Sequence, residues 1–364
     1  MPMTFRARDG RDNNFHLIRH LAAAAVVLTH SYSVVTGAYE SEPLVGWVGK
    51  SIGLYAVDVF FVVSGFLIAR SLAANPDLLR FAVSRMLRIF PALMIAVAFA
   101  SLVLGPFLSA LAPVDYFADP DLARYIVGSL STVATSNALP GLFQTLPEAG
   151  NVNEPLWTLK YELAAYVSIG LVTAAGILIS RRPLAPVIVV GIVAGVVLAV
   201  ARSADAIPGT LDHATHFVVV FYLGVAGYLL RRLLPLTLPG VILLAGAAIL
   251  AAPTSLGELA EQLFIAYTVL WLAFLPRLPT GRLERVGDCS YGIYVYAFPI
   301  QQTLRLAYPE IEPLMLFAAT LVLVLPLALA SWHLIEKPCL DARGAIVARL
   351  AARRAMHGAR TAGA

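Results

Sequence analysis

Charge is what this 364-residue chain has least of: 13% of its residues are Asp, Glu, Lys or Arg, against 59% hydrophobic, and its mean hydropathy is +0.79. Soluble domains carry about 25% charged residues, so this balance excludes a water-soluble globular protein and points to an integral membrane protein. Cysteine is nearly absent as well, with only Cys289 and Cys339. One falls at the start of an apolar stretch and the other just past the last one, which leaves no disulfide framework and no cysteine-based metal motif. No internal repeat, low-complexity linker or second soluble domain is visible.

What is present is a series of apolar stretches, near 15–36, 51–72, 90–111, 155–180, 183–201, 215–233, 239–253, 259–276, 288–306 and 313–336. A helix crosses the hydrocarbon core with about 20 such residues. The expected fold is therefore all-α, a polytopic membrane helix bundle of about ten transmembrane helices. The segment 122–136 is too polar and short to span, and reads as an interfacial or capping piece. With the N-terminus inside, 20 of the 26 basic residues fall in inner segments, four in outer segments, and two, Arg19 and Lys160, within helices. Cytoplasmic loops collect Lys and Arg, so this asymmetry predicts N- and C-termini that are both cytoplasmic. The chain divides into a membrane domain over 1–340 and a basic cytoplasmic tail over 341–364 that lies on the surface. The inner-face bias accounts for the net charge of +4 without a nucleic-acid partner.

Ionisable residues inside the bilayer are costly and usually face a cavity or a partner. Arg19 and His30 stand eleven apart in the first apolar stretch, which at 3.6 residues per turn returns them to nearly one face, about 16.5 Å apart along the axis. Asp58 in the second stretch and Glu162 in the fourth are expected in the same outer half as His30. A histidine and two carboxylates at one depth form a plausible acid/base site, since a carboxylate orients the imidazole and raises its basicity. Each residue also has a plainer reading: His30 as an interhelical hydrogen-bond donor, Asp58 as a partner for a neighbouring helix, Arg19 snorkelling to headgroups. Arg85 and Arg88, one turn apart before the third stretch, are either inner-face anchors or a phosphate clamp. His16 and His20 have i, i+4 spacing but no evident third ligand, so they read as interfacial and no metal is expected.

Several stretches taken together resemble the membrane acyltransferase 3 family. Arg19 and His30 are similar to its first-helix Arg-x10-His motif, and Ala56-Val57-Asp58-Val59-Phe60-Phe61-Val62-Val63-Ser64-Gly65-Phe66-Leu67 to its second-helix signature. Arg85-Met86-Leu87-Arg88-Ile89-Phe90-Pro91 resembles its basic motif, and Leu156-Trp157-Thr158-Leu159-Lys160-Tyr161-Glu162 its Leu-Trp-Ser-Leu-x-x-Glu element, with Thr158 in the serine position. Gly287-Asp288-Cys289-Ser290-Tyr291-Gly292-Ile293-Tyr294 and Ser331-Trp332-His333-Leu334-Ile335-Glu336-Lys337-Pro338 resemble its closing motifs. One departure is Ala297, where family members often carry a histidine before Phe298-Pro299; Tyr294, Tyr296, Gln301 and Gln302 are the candidates to compensate.

The resemblance implies an enzyme of the bacterial inner (plasma) membrane. It would move an acyl group, commonly acetyl or alternatively succinyl, from cytoplasmic acyl-CoA to a hydroxyl of an envelope or secreted carbohydrate or a glycolipid. Arg19, Arg85 and Arg88 would bind the CoA phosphates. His30, supported by Glu162 and Asp58, would activate the acceptor as general base or carry the acyl group itself. Polysaccharide assembly machinery is a natural partner. The rival class is a transporter of a glycan or lipid-linked substrate, which the lack of an inverted repeat disfavours; a non-catalytic member of an assembly complex comes third.

Overall fold

The computed structural model describes residues 13–132, 137–176, 209–276 and 287–362, and among these it is helical without a β-strand. Helices occupy nine of the ten apolar stretches; the stretch 183–201 lies outside the described residues. They are α1 (Phe15–Thr36), α2 (Ile52–Ala74), α3 (Leu78–Ala98), α5 (Leu159–Ala174), α6 (Gly209–Leu229), α7 (Leu238–Ala251), α8 (Gly257–Ala273), α9 (Ser290–Ala307) and α10 (Pro313–Ser331). The amphipathic α4 (Pro120–Ser131) covers the segment read as interfacial, and α11 (Arg343–Ala362) forms the basic tail. Among the described residues, Phe15–Thr36, Ile52–Ala74, Leu78–Leu108 and Pro313–Arg353 are long and apolar enough to cross a membrane. Large apolar side chains such as Phe107, Leu171, Leu243, Leu250 and Val322 point outward, as a lipid-facing surface requires.

One boundary differs from the reading of the sequence. The third helix begins at Leu78 rather than near 90, where Asp77 caps it by accepting the Arg80 N–H at 2.9 Å. The charges of Arg80, Arg85 and Arg88 hide this start from a hydropathy reading, yet a capped helix carries them on its first turns. It continues through a π-helical turn at Phe99–Leu104 into Gly105–Leu108.

Glycine sets the tightest crossing. A Cβ on Gly65 would lie 2.0 Å from the Phe221 carbonyl oxygen, and one on Gly224 would lie 2.1 Å from that of Val62. The α2 and α6 backbones touch only because both side chains are missing, the small-residue packing that membrane helices use. Helix α1 packs against α2, α9 and α10, which makes it a wall of the central space. Gln301 on α9 donates to the Val27 carbonyl and Ser31 hydroxyl of α1 at 2.8 and 2.7 Å. Between α1 and α2, the buried Glu42 accepts from Thr29 at 2.6 Å and from the Ile52 N–H at 2.8 Å, placing its carboxyl group at the α2 N-terminus.

Candidate functional site

Two cavities lie along α1, one toward each end. The first, about 110 Å³, is bordered by Arg19, Arg85, Arg88, Glu162 and Tyr166 together with apolar residues of α2. The second, about 380 Å³, is bordered by His30, Tyr39, Glu154, Trp157 and His213. Val57, Thr158 and Tyr294 border both.

The basic cavity is organised by a residue that the sequence reading quoted only as part of a motif. Asp288, just before α9, accepts from Arg19 and, at 2.9 Å, from Arg88 through one oxygen, and from the Ser290 hydroxyl at 2.7 Å through the other. Glu336 adds a second carboxylate 3.6 Å from Arg88. Helices α1 and α3 and the segment entering α9 therefore bring two guanidinium groups and the Asp288 carboxylate into one half-buried cluster, where each charge needs its partners. Arg88 also stands over the rings of Tyr291 and Trp332, each at 5.8 Å. Arg85 stands over Tyr166 at 5.7 Å, and its buried Nε has no hydrogen-bond partner among the described residues. A planar donor so placed suits an incoming oxyanion such as phosphate. Glu162 accepts a short hydrogen bond from Tyr166 one turn along α5.

In the other cavity His30 is 8% exposed and packs edge-on against Phe298, ring centres 5.1 Å apart. The nearby carboxylate is Glu154, whose Oε2 lies 3.9 Å from His30 Nδ1, with the Tyr39 hydroxyl 3.5 Å from the same nitrogen. Burial, reinforced by the neighbouring Glu148 and opposed by contact with Tyr39, pushes Glu154 up to about 7. Burial likewise raises Tyr39, with Glu154 the next cause. The segment carrying Glu154 is pinned by proline chemistry. Pro299 has no N–H to offer the Val295 carbonyl four residues back, and the Asn153 side-chain amide supplies that bond at 2.9 Å.

The residues singled out from the sequence thus divide. Arg19, Arg85, Arg88 and Glu162 border one cavity and His30 the other. Asp58 bonds His216 Nε2 at 2.7 Å, while Glu258 faces the other ring nitrogen at 2.8 Å, tying α2, α6 and α8 together. Of the four candidates to stand in for a histidine at Ala297, Tyr294 borders the cavities. Tyr296 bonds Ala92 and Ser331, and Gln302 holds the Glu148 and Asn151 carbonyls. Glu154, Tyr39 and Asp288 were not selected from sequence. For Asp288 the available signal was a lone carboxylate at the basic end of the bundle; for Glu154 it was the position beside Asn153 at a helix entry. His16, His20 and Asp288 also bring ligand-type atoms within 4.8 Å of one another. The Asp288 oxygens are already engaged by Arg19, Arg88 and Ser290, and the two guanidinium charges oppose a cation there.

Paired basic groups at one cavity and an imidazole at a second that shares lining residues with it suit a group-transfer enzyme. A family model described as an acyltransferase domain, the acyltransferase 3 family, matches residues 12–333, and the chain belongs to this family. The chain is similar to an O-acetyl transferase of Shigella phage Sf6, 28% identical over 336 residues, covering 90% of this chain and 96% of that protein. It is also similar to nodulation protein 10 of Rhizobium leguminosarum bv. viciae, 28% identical over 379 residues, covering 93% and 96% respectively. No solved structure matches with significance.

Proposed function

We propose that this protein is an O-acyltransferase of the bacterial inner membrane, crossing it about ten times. It takes an acyl group, acetyl in the simplest case, from cytoplasmic acyl-CoA and delivers it to a carbohydrate or glycolipid hydroxyl on the opposite side. The observation that carries this reading is a pair of cavities, one basic and one containing His30, that meet at shared residues. Family membership supports acyl transfer, and the relative named as an O-acetyl transferase supports an oxygen acceptor and an acetyl group.

In this reading the CoA phosphates bind Arg85 first, with Arg19 and Arg88 held ready by Asp288. His30 takes the proton from the attacking hydroxyl, and Glu154 steadies the resulting imidazolium. Glu162 and Tyr166 shape the donor cavity, while Asp58 holds the α2 wall through His216. An envelope polysaccharide, a lipopolysaccharide or a secreted oligosaccharide fits the outward-facing cavity, and the polysaccharide assembly machinery would present it.

The test is transfer from radiolabelled acetyl-CoA into the envelope glycan fraction by membranes carrying the wild-type chain, His30→Ala or Arg85→Ala. General-base assistance is worth about 10²–10⁴-fold, so His30→Ala should lose at least about 100-fold at unchanged protein level. Arg85→Ala should chiefly raise KM for acetyl-CoA. Label incorporated by His30→Ala at half the wild-type rate would remove His30 from the mechanism.

A further inference from the structure

Donor and acceptor entering from opposite ends must react where the two cavities meet, and what stands there is a pair of hydroxyls. Thr158 Oγ1 and Tyr294 Oη are 2.6 Å apart, and Tyr294 donates to the Pro155 carbonyl at 2.9 Å. Both side chains are buried, at 5% and 6% exposure. Val57 is apolar, so of the three described residues that border both cavities, Thr158 and Tyr294 carry the hydrogen-bonding side chains.

We propose that Tyr294 is a catalytic residue whose hydroxyl holds the acyl carbonyl oxygen during transfer, and that Thr158 positions it. This rests on the acyl-thioester reading given above. The acceptor oxygen attacks the thioester carbonyl carbon; a C–O bond forms and the C–S bond breaks. The hydroxyl proton passes to the His30 imidazole and from there to the departing thiolate, which leaves as the free thiol. Between these events the carbonyl oxygen carries the negative charge, and the Tyr294 O–H donates to it. An oxyanion donor of this kind is most effective in a site closed to water.

Geometry supports the switch of partner. Thr158 Oγ1 also lies 3.2 Å from the Pro155 carbonyl, so when Tyr294 turns to the donor, Thr158 takes over that acceptor and no buried carbonyl is left unpaired. Pro155 and Thr158 belong to the single 3-10 turn Glu154–Thr158, a short and adjustable element at the entrance to α5. The Phe60 ring packs edge-on against the Tyr294 ring, with centres 5.9 Å apart.

The experiment uses the full chain in proteoliposomes, acetyl-CoA as donor and envelope glycan as acceptor, with acetyl-CoA affinity measured alongside turnover. Loss of one oxyanion donor costs about 10²–10³ in kcat, so Tyr294→Phe should fall by that factor with acetyl-CoA affinity within twofold of wild type. Thr158→Val should lose turnover as well, and Thr158→Ser, which keeps the hydroxyl, should restore it. Tyr294→Phe turning over within threefold of wild type would overturn the assignment. So would a loss of turnover that is matched by a loss of acetyl-CoA binding, since that is a binding or folding defect. Equal turnover in Thr158→Val and Thr158→Ser would remove Thr158 from its role. Absence of transfer by the wild-type chain would instead refute the acyltransfer reading itself, and this inference with it.

Discussion

Glu154 sits beside His30 at the end of the bundle opposite the arginines, and its carboxyl titrates near neutrality because burial penalises the charged form. Below about 7 the group is neutral and offers His30 no counter-charge; above it the carboxylate stabilises an imidazolium. Turnover should therefore rise as the pH on the His30 side goes from 6 to 8, with an apparent pKa of about 7. Glu154→Gln should lose this rise and fall by roughly 10-fold at pH 8, a factor equal to about 1.4 kcal/mol of lost transition-state stabilisation. A Glu154→Gln profile superimposable on that of the wild type would exclude the pairing. His30, Asp58 and Glu162 were each legible in the sequence as ionisable groups within apolar stretches. Their partners were not, because depth follows from residue count whereas the direction a side chain faces depends on how its helix is rotated in the bundle. Asp58 thus finds His216 on α6, and Glu162 finds Tyr166 on its own helix.

Helix–helix contact is governed by a few small residues. The α2–α6 crossing relies on Gly65 and Gly224, each facing a backbone carbonyl at a distance no Cβ tolerates. Overpacking typically costs 1–3 kcal/mol, so Gly65→Ala should destabilise the detergent-solubilised protein by about that amount or more. Thermal unfolding followed by near-UV circular dichroism would check this, with Gly246→Ala, where a Cβ meets nothing within 4 Å, as the control expected to match wild type. A Gly65→Ala midpoint equal to that of the control would mean the two backbones do not approach this closely. Apolar runs disclosed the positions of these helices well. They missed the first three turns of α3, since Arg80, Arg85 and Arg88 lower the local hydropathy even though Asp77 caps a helix there. The Pro299 to Asn153 linkage shows the same limit from another side: the sequence announces an unpaired carbonyl at Val295, while the residue that satisfies it is 142 positions away.

Across the whole molecule, the distribution of Lys and Arg makes an orientation testable. Alkaline phosphatase fused after Glu310, in the short link between α9 and α10, should be active, and the same enzyme fused after Ala364 should be inactive while a fluorescent-protein fusion there is bright. The opposite pattern would invert the assignment of donor and acceptor sides. Membrane residence, the all-helical class and the placement of Arg19 and His30 on one helix were determined by the sequence alone, because hydropathy, capping and a 1.5 Å rise per residue are local properties. Only the tertiary structure decided that Asp288 gathers Arg19 and Arg88, that Glu154 rather than Asp58 approaches His30, and that Thr158 and Tyr294 meet where both cavities are bordered. Those outcomes depend on helix rotation and backbone approach, which are set by contacts between segments more than a hundred residues apart.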